Sequence, residues 1–219
     1  MKTVHYAVVL GLICTLAAFG VAGSYRMTRE RIVEKAIADE ESARSEVAGV
    51  AAGDTVEFSV LNAEADPALQ VVAVRDPEGN ALGYAALGQA QGYGGMVNVM
   101  VGMGPQAERI IGMKVVKQSE TPGLGTRVAE IKSSRTWFGI VTRQAPEGEP
   151  ETMPEFLKQF IGREESQVRL DGENGVQAIT GATISSTAVV NATRNAVEKI
   201  QSQVRQTAAS PAPTEAIGN

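Results

Sequence analysis

Three short stretches of this chain hold residue types that could do chemistry. "QAITGATISST", Gln177 to Thr187, crowds hydroxyls around a glycine and an alanine just ahead of a helix-like apolar segment. Ser and Thr there can cap a helix by satisfying its free N–H groups, or one hydroxyl can be a covalent attachment point. "ETPGLG", Glu120 to Gly125, contains a Pro-Gly turn signal. That turn presents a carboxylate, a hydroxyl, bare backbone and an exposed leucine, a wall suited to a flat ring with polar edges. "GYGGMVNVMVG", from Gly92, places three glycines before a strand-like run and can equally be a strand boundary.

What the chain lacks narrows the chemistry further. The only histidine is His5, so no Ser-His-Asp triad or His-rich zinc site can form in the body of the protein. The only cysteine, Cys14, lies in an apolar run, which excludes an internal disulfide and a cysteine-based metal site. No metal site and no catalytic residue is expected, so redox chemistry requires a bound organic cofactor. No G-x-G-x-x-G or Walker lysine occurs at its proper spacing. The net charge of −5 argues against nucleic acid, which is bound by a surplus of Lys and Arg.

The elements that would position these stretches follow from periodicity. Tyr6 to Gly23 is an uncharged run of 18 residues, roughly 27 Å as a helix and close to the thickness of a bilayer core. It is longer than the core of a usual signal peptide and leads directly into further helical pattern, so an uncleaved anchor is expected. Met27 to about Ala48 has i,i+4 charge pairs and reads as a solvated stalk. "TVEFSVL" and "QVVAVRD" alternate as strands, and "DPEGN" is a turn handing over to "ALGYAAL". "VNVMVGM" and "IIGMKVVKQ" form a second hairpin across "GPQAER". Short helical pieces are expected at Arg127 to Ser133 and Pro154 to Ile161, and a longer helix from about Ser186 to Gln203. The fold class is therefore α+β: an antiparallel sheet with flanking helices, preceded by one transmembrane helix. The expected division is 1–26 anchor, 27–50 stalk, 51–205 cofactor-binding domain and 206–219 disordered tail.

Taken in this order, "GYGG", "SETPGLG" and "TGATISS" resemble the G subunit of the Rnf ion-translocating electron transport complex. They are more distantly similar to the C subunit of the sodium-pumping NADH:quinone reductase. The resemblance covers nearly the whole chain, and the T-G-A-T element is its most specific part. It implies FMN held by a phosphoester on Thr183 and installed by a flavin transferase, with Thr180, Gly181 and Ala182 as the recognition element. It implies a membrane redox subunit, not catalytic alone, in a complex moving electrons between ferredoxin and NAD while translocating Na⁺ or H⁺. Other subunits of that complex would be its partners. Glu120, Thr121, Gly123 and Leu124, with Tyr93, Gly94 and Gly95, are the expected pocket. A stand-alone membrane-anchored carrier of covalent FMN serving another extracytoplasmic reductase is the alternative.

Two positions depart from the family pattern. Gln177 stands where the family often has an acidic residue, and Gln118 where it often has histidine. Gln177 is expected to slow flavin attachment without abolishing it. Arg26, Arg29, Arg31 and Lys35 follow the apolar span, and their count alone would leave the domain in the cytoplasm. The family's transferase works on the other side, so the resemblance implies an extracytoplasmic FMN domain on a cell inner membrane anchor.

Overall fold

The computed structural model describes residues 2–49, 56–62, 70–131, 153–170 and 175–209. The chain divides into two units, Met1–Glu41 and Ser42–Asn219. The first is built from helix α1, Lys2–Val47, whose last turns belong to the second unit. From Val4 to Asp39 its side chains are exposed all round, although Val8, Leu12, Leu16 and Phe19 are large and apolar. A helix apolar on every face is at home in lipid rather than water, and α1 is long and apolar enough to cross a membrane. Thr15, inside the apolar run, donates its hydroxyl to the Gly11 carbonyl at 2.8 Å, so this polar group is satisfied within the helix.

The second unit is a five-stranded antiparallel meander in sequence order: β1 (Glu57–Val60), β2 (Val71–Arg75), β3 (Ala81–Gln91), β4 (Met96–Met103) and β5 (Ile110–Lys117). Both expected hairpins are present, β2–β3 through the Asp76–Asn80 turn and β4–β5 through Gly104–Arg109. Side chains alternate between the two faces with the strand period of two. Val97, Val99, Val101 and Met103 point to one face, where they join Phe156, Leu157 and Phe160 and the long helix α3, Thr183–Ala209. Met100, Ala85 and Leu87 point to the other, against Ala43 and Val47 at the end of α1.

Glycines permit the closest approaches between these layers. A Cβ on Gly88 of β3 would overlap the Ala192 carbonyl of α3, and a Cβ on Gly102 or Gly112 would overlap the Val47 carbonyl. Lys114 on β5 ties the same helix end through Glu46 at 2.5 Å.

Between β5 and α3 the regular structure is short. A 3-10 turn spans Gly125–Val128, helix α2 spans Glu155–Lys158, and a second 3-10 turn spans Glu165–Gln167. The helical piece expected over Arg127–Ser133 is thus only the turn ending at Val128, and its last residues lie outside the described ones. Helix α3 begins three residues before the expected Ser186 and continues to Ala209, past the expected Gln203, so the first residues of the expected tail are helical. The remainder of that tail lies outside the described residues.

Candidate functional site

The start of α3 is made by a tight turn. The Ala182 N–H donates to the Ile179 carbonyl at 2.9 Å, and Gly181 sits at φ 81°. That φ suits the third position of a type II turn, which favours glycine. The turn finishes at Ala182, so the helix begins at once with Thr183. The backbone N–H groups of Thr183, Ile184 and Ser185 have no acceptor among the described residues. Ser186 is the first to find one, the Ala182 carbonyl at 2.9 Å. Three free donors and the positive end of a long helix therefore gather at this point, an arrangement that suits an anion.

The five hydroxyls of the run have different fates. Ser185 is buried and donates to Glu120 Oε2 at 2.5 Å. Ser186 is fully buried and accepts the Ile179 N–H at 3.0 Å. Thr187 donates back to the Thr183 carbonyl at 2.8 Å. Neither serine caps the helix, contrary to the capping reading: both hydroxyls are spent on ties to other segments. Thr180 and Thr183 are exposed, and their hydroxyls have no partner among the described residues.

Glu120 organises the facing loop. It is 5% exposed, and its Oε1 accepts the Gly94 N–H at 3.2 Å while Oε2 takes the Ser185 hydroxyl. Its own N–H donates to Gln118 Oε1 at 2.7 Å, which gives the glutamine at that position a structural task. A Cβ on Gly92 would land on the Glu120 carboxylate, one on Gly125 on the Ser185 hydroxyl and then the Glu120 side chain, and one on Gly94 on the Ser119 carbonyl. Beyond Glu120 the chain turns through Thr121–Leu124, with Gly123 at φ 77° and the Leu124 N–H on the Thr121 carbonyl at 3.2 Å. This again is type II geometry, with Pro122 and Gly123 at the two central positions.

These pieces enclose a cleft of about 550 Å³, lined by Tyr93, Glu120, Thr121, Leu124, Gly125, Gly181, Ala182, Thr183, Ile184 and Ser185. The size is ordinary for a cofactor site. Seven residues expected at the site from the sequence line it: Tyr93, Glu120, Thr121, Leu124, Gly181, Ala182 and Thr183. Gly94, Gly95 and Gly123 are among neither its walls nor its floor; they shape the turns behind it. Thr180 faces a separate cleft of about 480 Å³ that includes Arg127, Gln159 and Gln177. Gly125, Ile184 and Ser185 line the cleft although the sequence reading does not place them there. Ile184 has a legible signal, as the one large apolar residue between Thr180 and Thr187, among small and hydroxyl side chains.

The cleft's chemistry fits FMN. Tyr93, Leu124 and Ile184 are all more than half exposed at its rim and offer apolar surface to a flat ring. The free N–H groups at the start of α3 suit a phosphate, and the Thr183 hydroxyl lies beside them.

Comparison with known proteins agrees with this geometry. The FMN-binding domain family matches residues 92–198, which contain every residue lining the cleft. The G subunit of the ion-translocating oxidoreductase complex of Methanosarcina acetivorans is 29% identical over 198 residues, covering 90% of this chain and 93% of its own. The G subunit of the Na⁺-translocating ferredoxin:NAD⁺ oxidoreductase complex of Acetobacterium woodii is 28% identical, covering 88% and 89%. The crystal structure of Shewanella oneidensis NqrC shares the fold, with a TM-score of 0.56 at 18% identity, over 81% of this chain and 100% of that one. Residues 92–198 thus match the FMN-binding domain family, and over nearly all its length the chain is similar to the G subunits of ion-translocating oxidoreductase complexes.

Proposed function

We propose that this protein is a membrane-anchored electron carrier that holds FMN through a phosphoester on Thr183. It would serve within a multi-subunit complex coupling electron transfer between ferredoxin and NAD to ion translocation. The observation that carries the reading is the state of Thr183. Its hydroxyl is exposed, without a partner among the described residues and on the cleft, while Ser185, Ser186 and Thr187 are engaged and Thr180 faces elsewhere.

When bound, FMN supplies one- and two-electron redox chemistry, and the protein's own residues do the rest. Thr183 offers the oxygen to be esterified. No histidine is needed in the chain, because a flavin transferase would activate the reaction. Gly181 and Ala182 keep the approach to that oxygen free of bulk. The Ile184 and Ser185 N–H groups, with the helix end behind them, would hold the negative charge of a phosphodiester. Tyr93, Leu124 and Ile184 would offer their exposed apolar surface to the ring, at a rim open to other redox centres as a relay requires.

The relatives support assignment to a redox complex rather than to a stand-alone carrier. They do not choose the ion: one is named for Na⁺, while the Clostridium ljungdahlii relative, 25% identical, is named for the proton. The apolar α1 supports a single-pass anchor, and the FMN domain is assigned to the extracytoplasmic side, where the transferase would meet it. A carboxy-terminal reporter active only in the cytoplasm would contradict that orientation.

The function is tested by producing the full chain with and without a flavin transferase and measuring intact mass. One added FMN, less water, should accompany the transferase. A protein colourless and unmodified under both conditions would defeat the proposal.

A further inference from the structure

We propose that Glu120 is a positioning residue that fixes the spacing of the two walls of the flavin cleft, acting through Ser185 and Gly94. The inference rests on the flavin reading above.

A carboxylate that is 5% exposed has lost most of its water and must be compensated. No lysine or arginine pairs with it among the described residues. The compensation is instead two hydrogen bonds to segments distant in sequence, one from the Gly94 N–H and one from the Ser185 hydroxyl. Three glycines, Gly92, Gly94 and Gly125, lack the Cβ atoms that would fill the space the carboxylate and its loop occupy. The Gln118 side chain holds the Glu120 backbone from behind. So much accommodation for one acidic group, where an apolar side chain would pack without compensation, points to geometry as its purpose.

The two ties end at informative places. Gly94 directly follows Tyr93, whose ring stands at one rim of the cleft. Ser185 is the third residue of α3, two residues after Thr183 and one after Ile184. Fixing Ser185 fixes the rotation and advance of the helix start, and with it the direction of the Thr183 oxygen and the position of Ile184. One carboxylate therefore sets the position of the attachment point relative to the apolar walls. A residue in this role matters through how tightly the ring is held, not through contact with it.

The test uses full-length protein carrying covalent flavin, in detergent, and reads iodide quenching of flavin fluorescence together with the visible absorption band. Ser185→Ala removes one hydroxyl and one tie. Glu120→Ala removes both ties. Glu120→Gln retains both, with an amide oxygen for the Gly94 N–H and an amide donor for the Ser185 hydroxyl. Quenching should rise roughly twofold in Ser185→Ala and Glu120→Ala, with a shifted visible band, and stay at the parent value in Glu120→Gln. The double variant Glu120→Ala/Ser185→Ala should be no worse than Glu120→Ala alone.

Parent-like quenching in Ser185→Ala overturns the proposal whether or not Glu120→Ala folds. So does a Glu120→Gln variant as leaky as Glu120→Ala, because charge rather than geometry would then be responsible. Absence of flavin from the parent itself would instead refute the underlying flavin assignment.

Discussion

Gly88 carries a stability prediction that follows directly from the packing of helix on sheet. It lies on β3 with an ordinary, non-left-handed backbone, so alanine meets no conformational penalty there. The obstacle is the Ala192 carbonyl of α3, which an added Cβ would overlap, with Ala196 Cβ a further 3.0 Å neighbour. A side chain could rotate aside, but a helix carbonyl cannot. The helix must lift from β3, loosening Val189, Ala192 and Ala196 against Ala86 and Val99. Overpacking against main chain belongs at the upper part of the usual range, about 3 kcal/mol. Stiffening of the unfolded chain offsets about 0.5 kcal/mol of that. The net loss of about 2.5 kcal/mol corresponds to roughly 5–10 °C in melting temperature for a domain of this size. Gly104→Ala is the control: its Cβ would meet only Ile111 Cγ2 at 3.6 Å, an ordinary contact. Its stability should stay within about 0.5 kcal/mol of the parent. Thermal unfolding followed by circular dichroism measures both, and a Gly88→Ala variant melting with the parent would refute the close approach of α3 to β3.

Two further outcomes are expected. The Asp76 carboxyl is held below its ordinary value of 3.8, chiefly by the Asn80 side chain at 3.0 Å and then by backbone N–H groups of the β2–β3 turn. Its contribution to stability is thus present above pH 3.8 and lost as pH falls through the lowered folded value. Asn80→Ala should move the Asp76 titration, followed by carboxyl NMR, upward towards 3.8; an unmoved curve would rule out Asn80 as the main cause. Gln177→Asp should raise the rate of flavin incorporation by a transferase, since Gln177 is exposed and a carboxylate there restores the family's usual charge. A rate no higher than the parent's would remove that idea.

The strands are legible in the sequence because each carries its own signal. Alternating Val and Ala, broken by "DPEGN" and "GPQAER", specify two hairpins without reference to any distant residue. The long apolar helix is legible from an uncharged run alone. The site is legible in part. The Pro122–Gly123 turn and the exposed Leu124 can be placed because turn chemistry is local, whereas the family resemblance singles out Thr183 among its neighbouring hydroxyls. The task of the "GYGG" glycines cannot be read from the chain alone, since their reason is a carboxylate 26 residues further on, from Gly94 to Glu120. The start of α3 escapes local reading for a related reason. Ser185 and Ser186 look like caps in sequence, but tertiary ties claim both hydroxyls, and the Gly181 turn lets the helix begin at Thr183.

The central claim is that the hydroxyl of Thr183 is the attachment point for FMN, and peptide mapping of protein co-produced with a flavin transferase tests it most directly. The added mass should fall on Thr183 alone. Thr183→Ala should lose all in-gel flavin fluorescence, with no more than about 1 kcal/mol of lost stability, the usual size for an exposed threonine at a helix start. Ser186→Ala should keep the fluorescence, because its hydroxyl is buried on the Ile179 N–H. Added mass on Thr180, or covalent flavin persisting in Thr183→Ala, would contradict the account.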